Sequence, residues 1–357
     1  MNAPVSPLAE LVPGTAPYLR NAWYVAATAA ELGHEPLHRW LLGKPVLLYR
    51  REDGRPAALF DRCPHRGYPL SAGKIVGDAV ECGYHGLRFA ADGRCTLIPS
   101  GGAMPQGLGV ASYPVVERWQ WVWIWMGDPA LADPGLIPDL AGFGLGQPDW
   151  HSETSVTLAI NANYLLSFEN FLDASHITFL HTGQIDSGDV AGEPLEMQVD
   201  GGRIVVARRI ADELQSPLTM RTFGFEGDRA HRTITAEALP PSLCGIRVEV
   251  EPVVQSATAR QVNQLVVGIT PQDDTRTLQF TAVTQTFPFF NPGRHDDLRN
   301  LLMEDVVAME KIQALHDALP AEQRVEYGLL ADKGAYQARR MLAAMLRNER
   351  GAAAMKG

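Results

Sequence analysis

Between Tyr18 and about Asp128, short apolar runs alternate with turn formers. Pro45-Val46-Leu47-Leu48-Tyr49, Ala57-Ala58-Leu59-Phe60 and the stretch from Trp119 to Trp125 are examples, each bounded by Gly, Pro or Asp. Runs of this length and composition predict short β-strands. In the last of them a period of two places Trp119, Trp121, Trp123 and Trp125 on one face, a row that reads as sheet core. Gly127-Asp128-Pro129 breaks the pattern, and Ala130 to Pro148, rich in Pro, Gly and Asp, reads as a linker or extended cover. A helix is expected from about Asn163 to Leu180, with Leu165, Leu166, Phe168, Phe171 and Leu172 as its apolar positions. From about Leu195 to Phe289 the alternation returns, as in Arg203-Ile204-Val205-Val206-Ala207, and predicts a broad, mostly antiparallel sheet. Asn291-Pro292-Gly293 ends it. Leu298, Leu301, Leu302, Val306, Met309 and Ile312 then fall at helical spacing and predict a helix from about Asp296 to Leu315. A second helix is expected over about Leu329 to Arg347, fraying in Gly351-Ala352-Ala353-Ala354.

These elements describe an α+β chain: an N-terminal arm (1–17), a small all-β domain (18–128) and a helix-covered antiparallel-sheet domain (129–350). A length of 357 residues suits two domains, and 46% hydrophobic with 20% charged residues describes a globular protein. The formal net charge of −10 argues against nucleic acid as a partner. No apolar run approaches the roughly 18 residues of a membrane span. The first seventeen residues carry four prolines and no early basic cluster, unlike a signal peptide. Four cysteines in a chain of this length do not suggest a disulfide framework, so the reducing cytoplasm is the expected compartment.

Two of those cysteines stand beside histidines. Cys63-Pro64-His65-Arg66-Gly67 is followed, with sixteen residues between His65 and Cys82, by Cys82-Gly83-Tyr84-His85-Gly86. Thiolates with imidazoles suit zinc or an iron–sulfur cluster. Common zinc fingers pair Cys with Cys and His with His, whereas each loop here pairs one of each. Two such loops can offer both sulfurs to one iron and both imidazoles to its neighbour, as in a Rieske centre. Gly67, Gly83 and Gly86 would let the backbone approach the cluster closely. The pattern resembles the Rieske domain of bacterial aromatic-ring oxygenases, although Gly83 stands where some relatives have Pro. Cys95 and Cys244 have no histidine nearby and read as small buried residues.

A second constellation, Asn170-x-x-Asp173-x-x-His176-x4-His181, follows. On a helix Asn170, Asp173 and His176 share a face, while His181 would rotate off it. For both histidines to hold one metal, the helix must end or distort between them, and Thr182-Gly183 offers a stop. Two histidines with a carboxylate make the facial triad of non-haem ferrous oxygenases.

Together the two constellations resemble the Rieske non-haem iron oxygenases from about Tyr18 to Ala343. The opening Asn21-Ala22-Trp23-Tyr24-Val25-Ala26 and the helix around Asp305 look most like the group of vanillate and dicamba O-demethylase oxygenases. The resemblance implies a [2Fe–2S] cluster held by Cys63, His65, Cys82 and His85, and a mononuclear Fe(II) held by His176 and His181. It places the third ligand on Asp305, with Glu304 as the alternative. Asp173 would link the two centres of adjacent subunits, accepting hydrogen bonds from His85 and His176. Asn170 would tune the iron or a bound water without ligating. A head-to-tail homotrimer is implied, together with a separate ferredoxin or flavin reductase. No strand-led G-x-G-x-x-G marks a nicotinamide site in this chain. The expected activity is oxygenation of an aromatic substrate, an aromatic acid foremost, by O-demethylation or hydroxylation with O2. A cis-dihydroxylating dioxygenase α subunit and a Rieske electron-transfer module are the alternatives. Arg221, His231 and Arg247, in the sheet region, are candidates to meet a substrate carboxylate.

Overall fold

The structure, a computed structural model, describes residues 18–185, 190–224, 227–253, 260–289 and 291–354. The expected arm over residues 1–17 lies outside them. The chain divides into two compact units. One comprises Arg20–Pro138 with Thr270–Asp273, and the other takes the remainder.

The N-terminal unit is built from short antiparallel strands. They are β1 (Trp23–Thr28), β2 (Leu37–Leu41), β3 (Lys44–Arg50), β4 (Pro56–Phe60), β5 (Lys74–Val76), β6 (Ala79–Glu81), β7 (Arg88–Phe89), β8 (Cys95–Leu97), β9 (Val115–Arg118) and β10 (Trp121–Trp125). They form three sheets, in the orders β1-β10-β9, β2-β3-β4 and β5-β6-β7-β8. The Trp row is shorter than its period suggests. Trp119 and Gln120, both at positive φ (59° and 66°), make the two-residue turn between β9 and β10, so Trp119 leaves the strand face. Trp121, Trp123 and Trp125 are buried as expected of core.

The linker-like stretch coils through 3-10 turns and, once in the second unit, buries Leu140, Phe143 and Leu145. One sheet then dominates. Its strands are β11 (His151–Ile160), β12 (Glu196–Asp200), β13 (Arg203–Leu214), β14 (Arg229–Leu239), β15 (Leu243–Pro252), β16 (Gln261–Asp273) and β17 (Arg276–Gln285). They are ordered β11-β17-β16-β15-β14-β13-β12. The sheet agrees with the alternation read from 195 to 289, but β11 and its place at one edge do not follow from that reading.

The helices are α1 (Tyr164–Leu172), α2 (Ile177–Leu180), α3 (Pro217–Phe223), α4 (Arg294–Ala318) and α5 (Lys333–Ala354). α1 packs against β14 and β15 and is flanked by α4 and α5. Its N-terminus is capped by buried Asn163, whose Oδ1 accepts from the Leu165 amide. On α4 the inward face is Leu302, Asp305, Val306, Met309, Gln313 and His316. Ile312 is exposed, against expectation; Gln313 takes the inward place because its Oε1 accepts from the Asn163 amide at 2.9 Å. α5 runs on through the stretch expected to fray.

Candidate metal centres

The two Cys-His loops of the N-terminal unit are built alike. In the first, the Gly67 amide donates to the Cys63 carbonyl (2.8 Å) and the Cys63 amide to the Tyr68 carbonyl (2.8 Å). In the second, the Gly86 amide donates to Cys82 (3.0 Å) and the Cys82 amide to Leu87 (2.8 Å). Each turn closes only because its glycine takes a left-handed φ, 75° at Gly67 and 72° at Gly86. Gly83 has a different reason: a Cβ there would stand 2.8 Å from the Ala72 carbonyl oxygen. The first loop is anchored by buried Asp61, which accepts from the Ser71 amide (2.7 Å) and pairs with His38 Nδ1 (2.6 Å).

The donors are sorted by depth. Cys63 and Cys82 are each 2% exposed, whereas His65 and His85 are exposed and lie with ring centroids 4.6 Å apart. Burial raises the Cys63 thiol pKa; amides of His65 and Arg66 donate to its sulfur and oppose this, while Cys82 beside it adds to the rise. Two adjacent buried sulfurs become thiolates only around a cation. Among the described residues, one set of three or more His, Cys, Asp or Glu donors falls within 4.8 Å, and it is not this one. Four ligands of a single zinc would be that compact, with bonds of about 2.0–2.3 Å. An inner Cys pair and an outer His pair spread over a wider span fit a binuclear [2Fe–2S] cluster.

The compact set is His176, His181 and Asp305. The expected helix does break, but earlier than its spacing implied. Asp173 is extended (φ −111°, ψ 99°), ending α1 ahead of His176 rather than between the histidines. A 3-10 turn over Ala174–His176 then runs into α2, and His181 caps its end. The tighter turn compensates for the five-residue spacing and brings the two ring centroids to 5.2 Å. Asp305 Oδ1 lies 3.1 Å from His181 Nε2 and 3.5 Å from His176 Nε2. Glu304 is turned elsewhere: its Oε2 meets His181 Nδ1 at 2.7 Å, and its Oε1 accepts from Gln184. Adjacent carboxylates on α4 thus address opposite edges of one imidazole, leaving Nε2 toward Asp305. Asn170 donates from Nδ2 to Asp305 Oδ1 at 2.9 Å.

Electrostatics separate the two histidines. Burial lowers the His176 pKa, with the Asp305 charge opposing, and the result is below the ordinary value. Burial also acts against protonation of His181, but hydrogen bonds and charges of Asp305 and Glu304 outweigh it and lift that pKa. Two imidazoles and one carboxylate around a point, with open space beside them, fit the donor set of a non-haem ferrous centre. Neither Gln184 nor the division of labour between Glu304 and Asp305 is apparent from the sequence, which offers no spacing signal for them.

The Asp173 carboxylate accepts from the Ser175 amide at 2.8 Å, and it is the Asp173 backbone that hydrogen-bonds His176. The expected side-chain bond to His176 is therefore replaced by a main-chain one. A cavity of about 210 Å³ opens beside the three donors. Arg221, His231 and Arg247 are not among its walls. Arg221 pairs with Asp297 (3.5 Å), His231 accepts from the Asp212 amide (3.2 Å), and Arg247 pairs with Glu249 (2.5 Å). The cationic residues that do line it are Arg232 and Arg294.

Replacing Glu304 with Gln leaves Asp305 in place but weakens the acceptor at His181 Nδ1. Iron affinity is expected to fall about 10- to 100-fold, measured by competition with a chelator. Unchanged affinity would remove Glu304 from the site.

Residues 160–348 match the family described as vanillate O-demethylase oxygenase C-terminal domain, and residues 22–114 match the Rieske [2Fe–2S] domain. The oxygenase component of dicamba O-demethylase from Stenotrophomonas maltophilia is 41% identical over 194 residues, 54% of this chain and 56% of that protein. A vanillate O-demethylase oxygenase subunit from Pseudomonas sp. (strain HR199 / DSM 7063) is 30% identical over 94% of this chain and 96% of its own. The crystal structure of dicamba monooxygenase bound to 3,6-dichlorosalicylic acid superposes with a TM-score of 0.85 at 32% identity, covering 94% of this chain and 99% of that one. The matched stretch thus spans little more than half of the dicamba relative's sequence, although the structural match is nearly complete. The chain carries a Rieske [2Fe–2S] domain, a crystal structure of dicamba monooxygenase holds a non-haem iron, and His176, His181 and Asp305 form a set that could hold a metal here. Since the C-terminal family accounts for more than half of the sequence and the Rieske match encloses both Cys-His loops, the chain belongs to the Rieske non-haem iron oxygenases, in the vanillate O-demethylase group.

Proposed function

We propose that the chain is the terminal oxygenase of a multicomponent monooxygenase, removing a methyl or other small alkyl group from an aromatic compound. The observation that carries this is the cavity of about 210 Å³ ending on His176, His181 and Asp305. A dry cavity of about 150 Å³ suffices for benzene, so one substituted ring fits. Ile177, Ile234, Ile246 and Leu265 supply apolar walls that hold the ring and exclude water. When bound, the iron supplies dioxygen activation and the cluster supplies electrons singly.

The chain's own groups set the geometry. His176, His181 and Asp305 would hold the iron, Asn170 and Glu304 fix two of those ligands, and Cys63, His65, Cys82 and His85 would hold the cluster. One oxygen atom enters the substrate; the other leaves as water with two electrons and two protons. A hydroxylated O-methyl carbon collapses to a phenol and formaldehyde. Electrons come from a separate reductase. A homotrimer would set Asp173 of one subunit beside His85 of the next, making the pair a bridge between centres. No helix among the described residues is long and apolar enough to cross a membrane, and the four cysteines are unpaired, which suits a reducing, cytoplasmic setting.

Oxygen uptake and formaldehyde release, measured over a panel of methoxylated arenes with a surrogate reductase, test this reading. Substrate-dependent uptake with matching formaldehyde is expected. Uptake that never depends on an added aromatic compound would reduce the protein to an electron carrier.

A further inference from the structure

We infer that the substrate carries a neutral O–H or N–H donor besides its alkylated group, and that Asn263 Oδ1 receives it. The inference rests on the oxygenase reading above and names the class of molecule the same cavity takes. Asn263 lies on β16, inside the large sheet, with Val248 of β15 opposite it. Asn263 and Leu265 point to one face by the strand's period, and both line the cavity, as does Val248.

A relay of amides fixes which end of Asn263 is left over. The Phe287 carbonyl can only accept, so buried Gln285 must present Nε2 to it, at 3.0 Å. Gln285 Oε1 then accepts from Asn263 Nδ2, also at 3.0 Å. Asn263 Oδ1 is thereby turned away from Gln285, and no group among the described residues donates to it. Gln261 Oε1 and Gln264 Nε2 of the same strand are sealed off without a partner. Asn263 differs: it is half-buried, and its Oδ1 keeps accessible surface on the cavity's side of the sheet.

A carboxylate does not suit this place. An amide oxygen repels it, and the cations in the lining are spent, Arg232 on Glu213 (2.6 Å) and Arg294 on Glu153 (2.6 Å). An ammonium group would have to shed its water among apolar walls. A hydroxyl or an N–H costs far less to dehydrate and recovers that cost in one bond. Val248 and Leu265 keep the bond from bulk water, so a molecule without the donor leaves the carbonyl unmet.

The test uses the holoenzyme with two pairs of probes, 3-methoxyphenol against 3-methoxytoluene and 4-methoxyphenol against 4-methoxytoluene. Within a pair a hydroxyl is exchanged for a methyl of similar size, so the donor changes and the shape does not. Anaerobic calorimetry reads binding, and formaldehyde reads turnover. In at least one pair the phenol should bind about tenfold or more tightly than the toluene. Asn263→Leu alone should lower that preference severalfold, because it bares Gln285 Oε1 as a weaker substitute acceptor. Asn263→Leu with Gln285→Met removes both acceptors and should reverse the preference, since a methyl group gains from an apolar wall. Binding of the toluene shows that the cavity of either variant is intact. Wild-type protein without a phenol preference in either pair, or with no affinity for any probe, would overturn the assignment. So would a ratio unmoved in the variants, which would hand the donor to Asn170 or Thr222 of the same lining. Absence of formaldehyde with the calorimetric preference intact would instead sink the oxygenase reading and leave the Asn263 site standing.

Discussion

His176→Ala is expected to keep the visible spectrum of the iron–sulfur cluster while turnover falls by about a thousandfold or more, given that a catalytic metal contributes several kcal/mol to the barrier. The cluster loops lie in a different compact unit from His176. Two of three donors, His181 and Asp305, survive, but a histidine with a depressed pKa, and hence a lone pair available at neutral pH, is lost. Iron in excess of the cluster's should disappear from metal analysis in step with activity. A bleached cluster spectrum in this variant would mean that His176 belongs to the other centre. Asp305→Ala should behave in the same way, and full activity there would return the third-ligand role to Glu304.

Asp173→Asn should keep both metals and the fold yet slow turnover about 10- to 100-fold, the range usual for groups that orient a metal's ligands. The structure makes this a clean test of charge. The carboxylate oxygen that accepts from the Ser175 amide has a counterpart in Asn, which caps as well as Asp. The main-chain bond to His176 does not depend on the side chain at all. What is removed is the anion. Rapid-mixing measurement of cluster reoxidation with substrate present reads the step directly, and a wild-type rate would end the case for Asp173 as a bridge. Asp173→Ala is the contrasting variant: it loses the cap too, at about 1 kcal/mol, and confounds the two roles.

Much of this architecture was legible because its signals are local. Each Cys-His loop needs a reversal within five residues, so ligands, glycines and spacing fall in one window. The face of α4 from Leu302 to Met309 and the alternation along β13 to β15 read directly from their periods. What escaped depends on partners distant in sequence. β11 is only half-buried along most of its length, so its apolar alternation is weak, and pairing with β17 holds it in the sheet. The break at Asp173 arises from a side chain capping the next turn, a choice a helical period cannot show. Trp119 keeps the strand's period and still sits in a turn. Arg221, His231 and Arg247 looked available as cations, but whether a charge is spent on a neighbour is decided by the tertiary fold.

Asp305 rides on a helix that reaches the two histidines only after the whole sheet has been laid down. An ion gripping all three would act as a clasp over a very long loop, opposing separation of α4 from the short segment carrying His176 and His181. At a free iron concentration about a hundred times its dissociation constant, such a clasp would add about 2.7 kcal/mol to the folded state. Cellular iron supply would then govern how long each molecule survives as well as how fast it works, so starvation for the metal would thin the enzyme's ranks through unfolding and proteolysis.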